Sequence, residues 1–426
     1  MAPRKFDETQ RPILAIVVGG GPAPGINGVI SAATIEAINN GMRVIGIQDG
    51  FYWLAEGDFS HWVELTIQDV SWIHFQGGSI LSTSRENPTK DPARLQNVID
   101  GLLHLNVKYL VTIGGDDTAY TAFQVEKACK GKIKLGHVPK TIDNDLPLPG
   151  SDSTFGFQTA RHHGVSLVQS LMEDARTTNR WFFIVTMGRK AGHLALGIGK
   201  AAGTPLTIIS EEFKRDKISL KELADILEGS IIKRLAMGRR YGVAIVAEGL
   251  SEKIRLEDFA EMKDVERDEF GNIRYSEINL GRVIQNEVRN RLARRGLKVV
   301  IVNKNIGYEL RCAPPIPFDI EYTRDLGFGV VRFLLGGGTG AMVTRQAGRI
   351  IPMYLQDLID PQTNRMRVRY VNTNTEYYEV TRNYMIRLEA ADFEDKEWVE
   401  ILAKAGRLTP EEFLEKFGYM TDAGGF

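Results

Sequence analysis

Short β-branched runs alternate with longer stretches of helical period from residue 13 to about residue 302, and this alternation restricts the chain to a parallel sheet covered by helices. The runs are ILAIVV (13–18), RVIGI (43–47), KYLVTI (108–113), KLGHV (134–138), WFFIVT (181–186), LTIIS (206–210), GVAIVA (242–247) and LKVVIV (297–302). The class is therefore α/β. In open sheets of this kind ligands bind outside the carboxyl ends of the strands, so the loops that follow the runs are the place to look for chemistry.

The chain has 426 residues, 43% of them hydrophobic and 25% charged, enough for two or three domains with separate cores. Lys and Arg (53) nearly balance Asp and Glu (54), so no global field draws the molecule to nucleic acid or an anionic membrane. Any anion site must be local. Cys129 and Cys312 lie far apart without further ligands at metal spacing, which suits a reducing cytoplasm and argues against a disulfide framework or a zinc site. The polar start, MAPRKFDETQRP, and the brevity of the apolar run Ile13 to Val18 predict neither a signal peptide nor a membrane span. The Pro-rich CAPPIPF (312–318) reads as a structured crossing between two domains. From about Ile350 the chain carries no assignable motif. Its last stretch reads as helices, with a start signal at Thr409-Pro410-Glu411-Glu412, and is expected to cap the domains or form an oligomer surface.

Four loops carry candidate chemistry. Gly19-Gly20-Gly21-Pro22-Ala23-Pro24-Gly25 joins the first run to a helix beginning near Gly28. Backbone N–H groups at such a point can cradle an anion, and glycines let a phosphate approach the chain. It is neither a dinucleotide fingerprint nor a Walker A loop, because Pro24 stands at the last glycine position and no Gly-Lys-Ser/Thr follows. A tight turn without ligand also accounts for it. Gly114-Gly115-Asp116-Asp117-Thr118 places adjacent carboxylates at a strand end, where a cation such as Mg²⁺ would offset them; alternatively Asp117 is a helix N-cap. Pro139-Lys140-Thr141-Ile142-Asp143-Asn144-Asp145 packs a lysine and several acceptors together, and a carboxylate there could deprotonate an attacking hydroxyl. Met187-Gly188-Arg189 precedes a helix starting near Ala191 and offers an arginine fork for a phosphate or carboxylate.

Taken in order, GGGPAPGIN, GGSILSTSR, GGDDT, PKTIDND, MGR, AEG and YELR resemble the phosphofructokinase family across residues 13–311, and within it the long pyrophosphate-type branch. The resemblance implies two Rossmann-like parallel-sheet domains with a C-terminal helical extension. The expected boundaries are 1–155 plus about 310–348 for the domain binding pyrophosphate and magnesium, 156–309 for the sugar-phosphate domain, and 349–426 for the extension. It implies reversible phosphorylation of D-fructose 6-phosphate to fructose 1,6-bisphosphate. Asp143 would accept the proton of the sugar 1-hydroxyl, beside Thr141, Ile142 and Asp145. Asp116 would hold Mg²⁺. Gly20, Arg85 and Lys140 would contact the moving phosphoryl group, since phosphoryl transfer is mostly a matter of positioning and neutralising oxygens. Met187, Gly188, Arg189 and Glu248 would bind the sugar, and Tyr308 and Arg311 its 6-phosphate. Arg180 would reach into a neighbouring subunit, implying a homo-oligomer, most simply a dimer. One departure is Val302, where ATP-dependent relatives carry another phosphate-binding arginine; Lys304 is a weak substitute.

The donor expectation rests on Asp117 and Lys140, each glycine in ATP-dependent bacterial relatives. A carboxylate where an α-phosphate would sit repels it by roughly 4 kcal/mol at 4 Å and an effective dielectric of 20. That is about a thousandfold against ATP. Lys140 would compensate a leaving phosphate that bears no adenosine. The same resemblance leaves an ATP-dependent phosphofructokinase and a non-catalytic regulatory subunit as alternatives. A dinucleotide oxidoreductase lacks both the fingerprint and the acidic residue at the expected spacing.

Overall fold

The computed structural model describes residues 11–150, 153–260 and 278–421. The chain forms two compact units, Met1–His162 with Tyr308–Arg369, and His163–Gly307 with Tyr370–Phe426. Among the described residues, twelve strands build their main sheets: β1 (Ile13–Val18), β2 (Arg43–Ile47), β3 (Trp62–Glu64), β4 (Val107–Gly114), β5 (Lys134–Thr141), β6 (Phe155–Gly156), β7 (Trp181–Thr186), β8 (Leu206–Ile208), β9 (Gly242–Ala247), β10 (Ile301–Ile306), β11 (Ala341–Gln346) and β12 (Arg349–Tyr354).

In the first unit the order is β12-β11-β5-β4-β1-β2-β3, with β6 beside β5. The inner pairings are parallel, and the edges β2–β3 and β11–β12 are antiparallel. Period-two alternation explains why β1 is apolar throughout. Leu14, Ile16 and Val18 enter one core with Val29, Ile30, Leu326 and Val330, while Ala15 and Val17 enter the other with Leu54, Val98, Ala119 and Ala122. On the first face the helix Pro317–Leu335 crosses the helix Ile26–Asn39 at Gly327, where a Cβ would stand 2.7 Å from the Val29 carbonyl oxygen. Only glycine permits that approach.

The second unit has a fully parallel sheet, β10-β7-β9-β8. Trp181 and Phe183 of β7 are buried with Leu223, Leu227 and Ile231 of the helix Leu220–Ala236 and with Ile284 and Val288 of the helix Leu280–Arg294. β10 begins four residues later than the apolar run LKVVIV suggests. Its register is set by its partner: Ile301 lies opposite Trp181 and Ile306 opposite Thr186, so the strand extends through the polar residues Asn303 to Asn305.

Two further expectations change. CAPPIPF is not the crossing between units, because the chain passes from the second to the first at Gly307–Tyr308. The segment is instead packed within the first unit, where a Cβ on Gly77 would collide with the Cys312 carbonyl oxygen at 2.0 Å, and its last two residues, Pro317 and Phe318, open a helix. Nor does the chain beyond residue 349 form one extension. β12 completes the first sheet, whereas the helices Lys396–Gly406 and Pro410–Phe417 close a core around Ile232, Leu402, Phe413 and Phe417 in the second unit. The start signal at Thr409 is a capping box with Glu412, as the sequence suggests.

Asp319 ties the first unit together. Its carboxylate is fully buried and accepts from the Gly156 amide (3.0 Å), the Thr159 amide (2.8 Å) and the Thr159 hydroxyl (2.6 Å). Burial pushes its pKa up, and those three donors oppose the shift. Asp319→Ala leaves three buried donors unsatisfied. We expect it to lower stability by about 3 kcal/mol, read as a lower urea midpoint with unchanged slope.

Candidate active site

In the first unit the candidate loops meet at the carboxyl ends of β1, β4 and β5. The glycine loop leaves β1 with the Gly19 amide donating to the Ile113 carbonyl of β4 (2.9 Å) and the Gly20 amide to the Ser84 carbonyl (2.7 Å). The Thr83 hydroxyl closes it by donating to the Gly20 carbonyl at 2.7 Å. Gly20 has φ +82°, and a Cβ on it would lie 3.3 Å from the Lys140 ammonium nitrogen. A Cβ on neighbouring Gly19 would lie 2.5 Å from the Thr118 hydroxyl, so the first two loops are in direct contact. The helix that follows starts at Ile26, with Gly25 (φ +102°) as its N-cap.

Lys140, the penultimate residue of β5, is 3% exposed, and its ammonium donates to the Gly21 carbonyl. Burial pulls its pKa down to about 8, Asp143 opposes that shift, Arg311 reinforces it, and Asp116 and Asp145 oppose it. These causes locate one lysine among three carboxylates and an arginine. Arg311 also reaches the glycine loop: its Cζ lies 3.4 Å from where a Gly21 Cβ would stand, and its guanidinium stacks over the Tyr308 ring at 4.8 Å. Arg311, expected at the sugar 6-phosphate, thus lies against the glycine loop.

The Asp116–Asp117 pair sits in the first turn of the helix Asp116–Cys129, whose N-cap is Gly115. Asp117 is therefore not the cap, and its side chain is exposed while Asp116 is half-buried. Arg85 is exposed and directly follows the bridge between Gly19 and Ser84. In the third loop Asp143 and Asp145 are nearly buried and flank Asn144, whose backbone is left-handed at φ 58°. The Asp143 amide donates to the Thr141 hydroxyl (3.0 Å), and the Thr154 hydroxyl donates to the Thr141 carbonyl (2.8 Å). Ile142 is buried. Among the described residues no group of three or more His, Cys, Asp and Glu is assembled to hold a metal. Asp116, in the turn that meets the glycine loop, nevertheless fits Mg²⁺, which characteristically takes one or two carboxylates and completes its shell with phosphate oxygens and water.

The second unit carries its own cluster. After β7 the chain turns through Met187, Gly188 and Arg189, the last left-handed at φ 51°. Glu248, at the end of β9, holds this turn by accepting from the Gly188 and Arg189 amides, both at 3.1 Å. The backbones approach closely, since a Cβ on Gly249 would stand 2.8 Å from the Arg189 carbonyl oxygen. The next helix begins at His193, with the Gly192 amide bound to Glu211 at 2.8 Å. Arg180, just past the helix Phe157–Thr178, lies 3.7 Å from Asp174.

Two residues that sequence reasoning passed over support these loops. His137, in KLGHV, is fully buried; its Nε2–H donates to the Gly114 carbonyl (3.1 Å) and its Nδ1 accepts from the Thr112 hydroxyl (2.9 Å). Burial pulls its pKa down to about 3, so it stays neutral and fixes the carbonyl that opens the GGDD loop. A histidine inside an apolar run was its one signal. Arg369 grips the Asp143–Asp145 loop from a segment with no motif at all.

Known proteins resemble this arrangement over nearly the whole chain. A pyrophosphate–fructose 6-phosphate 1-phosphotransferase of Thermotoga maritima is 54% identical over 414 residues, spanning 96% of this chain and 99% of that one. A protein of the same name from Naegleria fowleri is 50% identical over 418 residues, spanning 96% of each. The crystal structure of the pyrophosphate-dependent phosphofructokinase from Marinobacter aquaeolei shares the fold, with TM-score 0.67 at 17% identity over 88% of this chain and 90% of that one. The family model described as phosphofructokinase matches residues 13–334, and the chain belongs to the phosphofructokinase family.

Proposed function

We propose that the protein catalyses the reversible transfer of a phosphoryl group from inorganic pyrophosphate to the 1-hydroxyl of D-fructose 6-phosphate, giving fructose 1,6-bisphosphate and orthophosphate. The observation that carries this reading is the buried Lys140 ammonium beneath the Gly20–Gly21 cradle, among Asp116, Asp143 and Asp145. A lysine held against its own desolvation is an anion site, and the near-full-length similarity to pyrophosphate-dependent enzymes supports pyrophosphate as that anion. Lys140 and Arg85 neutralise the oxygens of the group in flight. Asp143 accepts the proton of the attacking hydroxyl. Mg²⁺, held by Asp116 and the phosphates, supplies further charge neutralisation when bound. Asp117 excludes the α-phosphate of ATP. Met187, Gly188, Arg189 and Glu248 bind the sugar with Thr141, Ile142 and Asp145, and Tyr308 and Arg311 bind its 6-phosphate. The enzyme works in the cytoplasm as a homodimer in which Arg180 completes the partner subunit's site. Among the described residues no helix is long and apolar enough to cross a membrane.

A donor panel tests the reaction. Pyrophosphate should support phosphorylation of fructose 6-phosphate, orthophosphate should drive the loss of fructose 1,6-bisphosphate, and ATP should fail by about a thousandfold. Turnover with ATP but not with pyrophosphate would end the proposal. Asp117→Gly combined with Lys140→Gly should relax donor choice. Asp143→Ser should abolish turnover while fructose 6-phosphate still binds in calorimetry.

Lys140 sets a pH dependence. Its folded pKa, about 8, lies below the ordinary lysine value of 10.5, so the fold disfavours the charged form. The stability penalty is present below pH 8 and is relieved as the pH rises from there toward 10.5. Catalysis runs the other way, since it needs the ammonium. kcat/KM for pyrophosphate, which reports the free enzyme, should fall above about pH 8, and Lys140→Arg should move that fall to higher pH.

A further inference from the structure

Building on the proposed phosphoryl transfer, we propose that Arg369 is the positioning residue of the proton-accepting loop, holding Asp143 in its working orientation from a part of the chain that contributes nothing else to the site. The loop from the end of β5 to Leu148 turns through Asn144 in the left-handed region at φ 58°, a conformation that asparagine tolerates better than most L-residues but that is held to one geometry only where its surroundings enforce it. Arg369 provides that enforcement. Its Nε–H donates to the Asn144 carbonyl (3.2 Å), one terminal nitrogen donates to the Leu148 carbonyl (3.2 Å), and the other donates to the Asn144 side-chain oxygen. Its backbone amide donates to the Asp145 carbonyl at 2.7 Å. The guanidinium fork thus spans both ends of the turn, while the Asn144 side-chain oxygen also accepts from the Thr154 amide (3.0 Å).

The chemistry suits arginine and no other residue. Three acceptors in different directions need a planar cation with several fixed donors; a lysine ammonium can satisfy one or two of them but cannot bridge them as a rigid plane. The cation also lies at the turn between two nearly buried carboxylates, Asp143 and Asp145. Arg365 and Arg367, at alternate positions before it in RMRVRY, are exposed, so the contact belongs to one arginine of three. Arg369 touches no reacting atom in this reading. It acts through the angle at which Asp143 is presented.

The test compares purified Arg369→Ala, Arg369→Lys, Asp143→Ser and Asp319→Ala at 25 °C with saturating pyrophosphate and fructose 6-phosphate. Misplacing a catalytic group slightly costs on the order of 100-fold, so Arg369→Ala should lower kcat roughly tenfold to a hundredfold while KM for pyrophosphate changes by less than about twofold. Arg369→Lys should fall between Arg369→Ala and the wild type, and added guanidinium at millimolar concentration should restore part of the Arg369→Ala activity. Asp319→Ala, destabilised through a different part of the same unit, should keep its kcat. Wild-type kcat in Arg369→Ala with a lowered melting temperature alone would reduce Arg369 to a structural tie and overturn the inference. If Asp143→Ser retains full activity, the proposed function of the loop fails instead, so the two failures are distinguishable.

Discussion

Everything proposed for this molecule depends on keeping one ammonium charged inside the protein. Lys140 is almost fully buried, and its desolvation is offset by the Gly21 carbonyl oxygen and the nearby carboxylates of Asp143, Asp116 and Asp145. Such a group is expensive to place and would be a poor choice for stability alone. The glycine loop is built around it. Gly20 lacks the Cβ that would press on the ammonium, Gly19 lacks the one that would strike Thr118, and the positive φ at Gly20 turns the chain over the nitrogen. The strand ends bring these parts together because β1, β4 and β5 are adjacent and parallel, so their carboxyl ends lie at one edge of the sheet.

The loops in both units share a second constraint. Asn144 and Arg189 are non-glycine residues in left-handed conformations, and each is held by hydrogen bonds from elsewhere in its own unit. Arg369 grips the carbonyls and side chain around Asn144, and the carboxylate of Glu248 accepts both amides at Gly188 and Arg189. His137 belongs to the same group of supports, because a neutral imidazole fixes the Gly114 carbonyl where the GGDD loop begins. Arg369 and His137 do not touch the proposed chemistry, but they set the angles at which others do.

Much of this was legible in the sequence, and for physical reasons. The apolar runs become strands because residues alternating across β1 serve two cores at once, leaving no polar position inside the run. The ordered motifs are legible because close backbone approach demands glycine and phosphoryl chemistry demands charge at short spacing. The reading failed where the partner rather than the local pattern decides. β10 extends into Asn303-Lys304-Asn305 because β7 sets its length, and CAPPIPF packs within one unit because the groove beside Gly77 accommodates it. The stretch beyond residue 349 reads as one bland tail, yet β12 and Arg369 serve the first unit and the terminal helices the second.

What the sequence determined by itself, then, was the α/β class, the positions of the loops and the identity of the charged groups in them. Those follow from periodicity and composition over a few residues. What only the tertiary structure decided was that Lys140 is buried, that Arg311 lies against Gly21, that Asp117 is not a helix cap, and that an arginine more than two hundred residues away along the chain holds the Asp143 turn. Burial and long-range hydrogen bonding depend on which elements pack together, and no local stretch of sequence contains that information.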